Sequence, residues 1–302
     1  MKPKPNSPPA PSPAPPADAV PAPVNLSERA ALIAFSDTHI NHIYGLGAPV
    51  FHPSNGEEIR ANPIRRELWD NWNKFWDIAM RLTDGWPRVG AIVGDAVEND
   101  TKARSPQVLI TQNPADALRM AADDVLTPKL SLLDALLFIG GTEAHTGQGA
   151  WCEEVIAQDY DHTIRDEGRN AAMWPHFYGK FGGVSFDIAH HASMGGVRRG
   201  LAGAAGRLAY DVMTAYILDW QLPPPQLVLR AHNHRRADSG LTHATRAYML
   251  GCFQYKTAYS HRINKGFEMP NLGGVVILCE RGEYQLHPIV VNPRKPKIWT
   301  PK

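Results

Sequence analysis

Cysteine is scarce: the 302-residue chain carries three, Cys152, Cys252 and Cys279, far apart and with no CxxC spacing. That excludes a disulfide framework and a thiolate metal site, and it points to a reducing compartment, so a cytoplasmic location is expected. Long apolar runs are missing too. No window approaches the ~20 apolar residues a membrane helix needs, and no membrane partner is expected. Neither charge sign dominates, with 31 Lys and Arg against 30 Asp and Glu. The near-neutral balance gives no general electrostatic case for nucleic acid, and the local pairs Arg198-Arg199 and Arg235-Arg236 read first as solvated surface. No repeat of fixed period is visible, which excludes a solenoid or propeller. Nothing in the pattern sets an oligomeric state.

The first stretch, residues 1–24, is mostly Pro, Ala and Ser and has almost no large apolar side chain before Val20. It cannot bury enough surface to offset its ordering entropy, so a disordered tail is predicted, followed by one domain over 25–302. It lacks the apolar core of a secretory signal.

The organising stretch is Ala31 to Ile40, A-L-I-A-F-S-D-T-H-I. Its apolar run suits a strand buried on both faces, and it stops at Asp37 and His39, where open α/β sheets place their chemistry. In an extended segment these two side chains share one face, so they can grip one ion. A long polar connection, 41 to about 65, leaves directly from the pair and reads as a wall of the site, with His42 and Tyr44 as substrate contacts. Glu67 to about Thr83 has an aromatic stripe at helical spacing, a core-facing helix. Arg88 to Glu98 is a second apolar strand ending in Gly94-Asp95. A third, Leu132 to Ile139, ends in G-G-T-E-A-H at 140–145. Gly183 to Ala189 runs into His190-His191, and Gln226 to Arg230 into His232-Asn233-His234. The last strands, near Ala247 to Phe253, Gly274 to Cys279 and Tyr284 to Val291, are expected to complete a second sheet.

Five strand ends thus present carboxylate or imidazole, in the order D-x-H, G-D, G-T-E-A-H, H-H and H-N-H. In this the sequence resembles the calcineurin-like metallophosphoesterase superfamily, whose pattern is D-x-H, G-D, G-N-H, H and G-H-x-H, over about 32–291. The long loop after D-x-H, the G-T-x-x-H variant and F-Q-Y-K-T at 253–257 look most similar to phage or prophage-type members. The resemblance implies an α/β fold, a two-sheet β-sandwich flanked by helices in four αββα layers. It implies two divalent ions: Asp37, His39 and His234 around one, His190 and His232 around the other, and Asp95 bridging. His190 is preferred to His191 because the family's ligand is the first His after the apolar strand, which leaves His191 as a possible further ligand or a nearby orienting or substrate-contacting residue.

Two positions depart from the family pattern. Ala231 replaces a glycine, a small change. Thr142 stands where the family has a metal-binding Asn, and a histidine follows only at His145. The shorter Thr hydroxyl is then a weak or water-bridged ligand, with Glu143 as another possible ligand and Glu98 orienting the site from behind. His145 either restores the family's catalytic histidine, as proton donor to the leaving oxygen, or enters the metal shell itself, with the first role preferred, and Arg198 or Arg199 are read as phosphate holders.

The chemistry agrees with the resemblance. Two ions sharing a carboxylate activate a hydroxide and clamp the oxygens of an in-line displacement, an arrangement suited to phosphate esters. Histidine and aspartate donors without cysteine favour Mn, the expected ion, or Fe, Zn, Co or Ni. The leading expectation is hydrolysis of phosphodiesters or phosphomonoesters. Its rivals are a DNA or RNA nuclease of the same superfamily, a mononuclear zinc hydrolase of another fold, and a non-catalytic scaffold with a degenerate metal site.

Overall fold

The computed structural model describes residues 24–99, 108–192, 201–257 and 269–291. The predicted tail lies outside them save for Val24, as do Arg198 and Arg199.

The chain begins with β1 (Arg29–Phe35), a short hairpin of β2 (Val50–Phe51) and β3 (Ile59–Arg60), then α1 (Pro63–Leu82) and β4 (Arg88–Val93). Next come α2 (Pro114–Ala121), α3 (Thr127–Leu130), β5 (Ala135–Ile139), α4 (Glu143–Thr146), α5 (Trp151–Gln158) and β6 (Met173–Trp174). The second half holds β7 (Phe177–Phe181), β8 (Val184–Ile188), α6 (Leu201–Leu218), β9 (Leu227–Arg230), β10 (Ala237–Asp238) and β11 (Arg246–Met249). It ends with β12 (Leu272–Glu280) and β13 (Glu283–Val291).

These strands make a six-stranded sheet of order β13-β12-β1-β4-β5-β6 and a five-stranded sheet of order β10-β11-β9-β8-β7. In the first, β1, β4, β5 and β6 run parallel and β12 closes antiparallel onto β1. Alternation along β1 shows how the layers stack. Leu32 and Ala34 share a core with Phe186 and Leu229 of the second sheet, whereas Ile33 and Phe35 face the other way into a core with α1. Leu208 and Ala209 of α6 cover the outer face of the second sheet against Val228 and Ala247. The molecule is therefore the four-layer αββα sandwich expected.

The stripe predicted to be core is core. Trp72, Phe75 and Trp76 of α1 are buried and their rings lie 5.0, 6.4 and 5.9 Å from that of Phe35. Each such burial contributes about 2–3 kcal/mol. The helix starts four residues earlier than its stripe, because the Asn62 side chain accepts the Arg65 N–H at 2.9 Å and Pro63 suits the first turn.

Two expectations need correction. β12 and β13 join the first sheet rather than the second. β12 is apolar on both faces, with Val275 and Ile277 in the sandwich interior and Val276 under α1, and the place beside β1 buries both. Asp37 and His39 are also not extended: their φ angles are 51° and 40°, a left-handed turn that bends the chain as it leaves the sheet.

Candidate metal centre

Asp37, Asp95, His190, His232 and His234 converge where the adjoining ends of both sheets meet. The turn after β1 is stitched to the turn after β4 by backbone bonds from Asp37 N–H to Gly94 O and from His39 N–H to Asp95 O, each 3.0 Å. Phe253 N–H in turn donates to Asp37 O, tying in the chain beyond β11. Like Asp37 and His39, Asp95, His232 and His234 have positive φ, at 51°, 71° and 54°. Five donor residues of this one site therefore sit in a region that side chains enter at a cost of about 1–2 kcal/mol each. Glycine is required beside them. A Cβ on Gly94 would stand 2.4 Å from His190 Nδ1, and one on Gly141 2.3 Å from Asp95 N.

The side chains form two overlapping groups. In the first, Asp37 Oδ1 lies 3.2 Å from His234 Nε2, and His39 Nε2 lies 3.2 Å from the same nitrogen. In the second, His190 Nε2 lies 3.0 Å from Asp95 Oδ2, with His232 Nδ1 at 4.0 Å. Asp95 faces both groups, since its Oδ2 is also 3.9 Å from His39 Nε2. Ligand atoms of Asp37, His39 and His234, of Asp37, Asp95 and His190, of His39, Asp95 and His145, and of His190, His191 and His232 each lie within 4.8 Å of one another.

Outer hydrogen bonds orient these atoms. His190 Nδ1 donates to Val93 O at 2.8 Å, and His39 Nδ1 donates to Glu98 Oε2 at 2.9 Å. With Nδ1 committed in this way, it is Nε2 of each ring that points to the centre, the atom through which a neutral imidazole would bind a metal. Glu98 also accepts from His145 Nδ1, at 2.9 and 3.0 Å, so one buried carboxylate orients two imidazoles.

The donor set fits divalent cations. Asp37 Oδ1 and His190 Nε2 are buried and meet His234 and Asp95 only as ion-pair contacts without well-aligned hydrogen bonds, and the Nε2 atoms of His39 and His234 face each other at 3.2 Å. Two buried carboxylates and lone pairs aimed at one another are costly unless a positive charge lies between them.

The electrostatics follow from the same packing. Burial opposes ionisation of Asp95, but His190 and His39 outweigh it and hold the carboxyl well below its usual range. Against the effect of its own burial, His190 is pushed up to about 9 by Asp95 and Asp37. Despite burial, Glu98 is lowered to about 2 by His145 and His39. The Glu98 pairing raises His145 in spite of its desolvation.

Not every predicted residue arrives. Glu143 turns away and accepts the Gly149 N–H at 3.0 Å. Thr142 stays, its backbone N–H donating to Asp95 Oδ1 at 2.5 Å. His42 is buried within the loop, its Nδ1 accepting the Tyr44 N–H at 2.9 Å, and Tyr44 is partly buried against it. Sequence reading missed Glu153. This fully buried residue of α5 accepts the Ala96 N–H at 3.0 Å and supports the backbone directly after Asp95. Its signal was available, because Glu153, Ile156 and Ala157 share a helical face and only the first is charged.

No family model and no curated protein matches the chain. Among solved structures it is similar to Vps29 from Entamoeba histolytica, at 10 % identity and a TM-score of 0.37, covering 87 % of this chain and 99 % of that one. A predicted phosphoesterase from Streptococcus pneumoniae shares 7 % identity at a TM-score of 0.34, with 87 % and 90 % covered. YfcE, a phosphoesterase from E. coli, shares 12 % at 0.34, with 82 % and 87 % covered.

Proposed function

We propose that the protein is a metal-dependent phosphoesterase that hydrolyses phosphodiester or phosphomonoester bonds at a dinuclear centre, with Asp95 shared by both ions. The observation that carries this reading is the convergence of Asp37, Asp95, His39, His190 and His234, whose buried lone pairs face one another around a common carboxylate.

Bound divalent ions supply Lewis acidity toward phosphoryl oxygens and lower the pKa of water. The chain does the rest. Asp37 and Asp95 set the negative charge that retains the ions, and Glu98 fixes the tautomer of His39. His145 has its Nδ1 committed to Glu98, so Nε2 is the nitrogen left to deliver a proton to the leaving oxygen. The side chain is 37 % exposed, open to an incoming ester. Mn is the ion expected to support turnover.

Incubation of the metal-loaded protein with a chromogenic diester, cyclic nucleotides, a phosphomonoester and single- and double-stranded DNA tests the reading. Hydrolysis of an ester is expected, and Asp95→Asn should lower it by about 10²-fold or more. An inactive metal-loaded protein across that panel, or full activity in Asp95→Asn, would overturn it.

A further inference from the structure

His191 follows His190 directly, is exposed, and stands outside the six ligands that the sequence resemblance implies. The structure nevertheless turns its ring inward. The His191 ring centroid lies 4.8 Å from that of His190 and 4.7 Å from that of His232. One ring nitrogen from each of the three lies within 4.8 Å of the others.

What stands among them is a single hydroxyl. Thr142 Oγ1 is 3.1 Å from His191 Nε2, 3.2 Å from His232 Nδ1 and 3.2 Å from Asp95 Oδ2. A threonine hydroxyl has one hydrogen, so it satisfies one of these three atoms as donor. His190 Nε2, with Nδ1 committed to Val93 O, is buried and meets Asp95 Oδ2 at 3.0 Å without a well-aligned hydrogen bond. Three imidazoles and a carboxylate oxygen therefore crowd around one hydroxyl, whose own hydrogen goes to Asp95 Oδ2.

Resting on the dinuclear reading above, we propose that His191 is a ligand of the second ion, which is held by His190, His191, His232 and Asp95 with Thr142 beside it as a hydrogen-bonding neighbour. The two halves of the centre then differ in kind. Asp37, Asp95, His39 and His234 give one half two carboxylates and two imidazoles, whereas the other half is nitrogen-rich with three imidazoles. Imidazole-rich sets favour zinc, cobalt and nickel, and carboxylate-rich sets are more tolerant of manganese and magnesium. The second half selects a borderline transition ion, and loading is stepwise.

The test is calorimetric titration of the chelator-treated full chain with Co²⁺, with metal content measured after gel filtration and the Co²⁺ visible absorption recorded. Wild type is expected to take up two ions. His191→Ala is expected to keep one, to bind the second about tenfold or more weakly, and to lose the visible band belonging to it. Thr142→Val is expected to keep both. His191 is exposed, so its replacement should leave the thermal melt of the ion-free protein unchanged, and that melt is measured alongside. If His191→Ala binds two ions as wild type does and only KM for ester rises, His191 contacts substrate and the proposal fails. If Thr142→Val loses the second ion and His191→Ala does not, the hydroxyl is the ligand and the proposal fails. Wild type that binds no Co²⁺ overturns the dinuclear reading itself, a result distinct from either.

Discussion

Glu153 is a carboxyl sealed behind the turn that presents Asp95. Burial, together with the charge of Asp95, pushes its pKa up to about 8. At neutral pH it is chiefly protonated and still accepts the Ala96 N–H. The folded state thus binds this proton more tightly than the unfolded chain does. The associated stability is fully present below the ordinary Glu range and is lost as pH rises through about 8. Thermal melts from pH 5 to 9 should show wild type losing stability relative to Glu153→Gln, by on the order of a few kcal/mol at the alkaline end. Glu153→Leu, which removes the acceptor, should destabilise at every pH, and parallel melts for wild type and the Gln variant would refute the assignment. His145 makes a second prediction. As proton donor it matters most for a poor leaving group, so His145→Ala should lower kcat on an alkyl phosphate ester by about 10²–10⁴-fold and on a nitrophenyl ester far less, with metal content intact. Loss of an ion instead would make it a ligand. At this scale the sequence was generous, because Asp37, Asp95, His190 and His234 each end a readable apolar run. Glu153 ends no strand, so its one mark is a lone charge on the buried face of a helix, and it acts through backbone.

Among the elements, the turn after β4 carries the most demanding fit. Gly94 has φ 76° and no room for a Cβ beside His190. Gly94→Ala should cost about 1–3 kcal/mol and break the His190 bond to Val93 O, which urea titration and metal analysis would register together. A variant that binds ions normally would show that the turn can relax. The capping of α1 was available in the sequence as Asn62-Pro63 but lies outside the aromatic periodicity, and so the helix was read as starting late. The edge that β12 joins was not available, since an apolar strand fits any neighbour that covers both faces. The short helix α4 was also not anticipated, although it is what turns Glu143 away from the centre.

At the scale of the whole molecule, a centre with buried carboxylates and lone pairs stabilises the fold only when cations are present. Removing ions with a chelator should lower Tm, and restoring an ion at 100 times its Kd should recover about 2.7 kcal/mol. An unchanged Tm on chelation would mean that the donors are satisfied without cations. Among the described residues no helix is long and apolar enough to cross a membrane, as the absence of long apolar runs implied. The layered architecture was legible through the family pattern of strand ends, while the left-handed geometry of those ends was not. Side chains that share a face in a strand and side chains gathered by a turn leave the same letters in a sequence.

The two sheets divide the donors between them. Asp37, His39 and Asp95 leave the ends of β1 and β4, whereas His190, His232 and His234 leave those of β8 and β9, and the His39–His234 contact joins positions 195 residues apart. Neither layer holds a complete set. The centre depends on contacts between distant parts of the chain, so its donors are gathered only once the two sheets have docked.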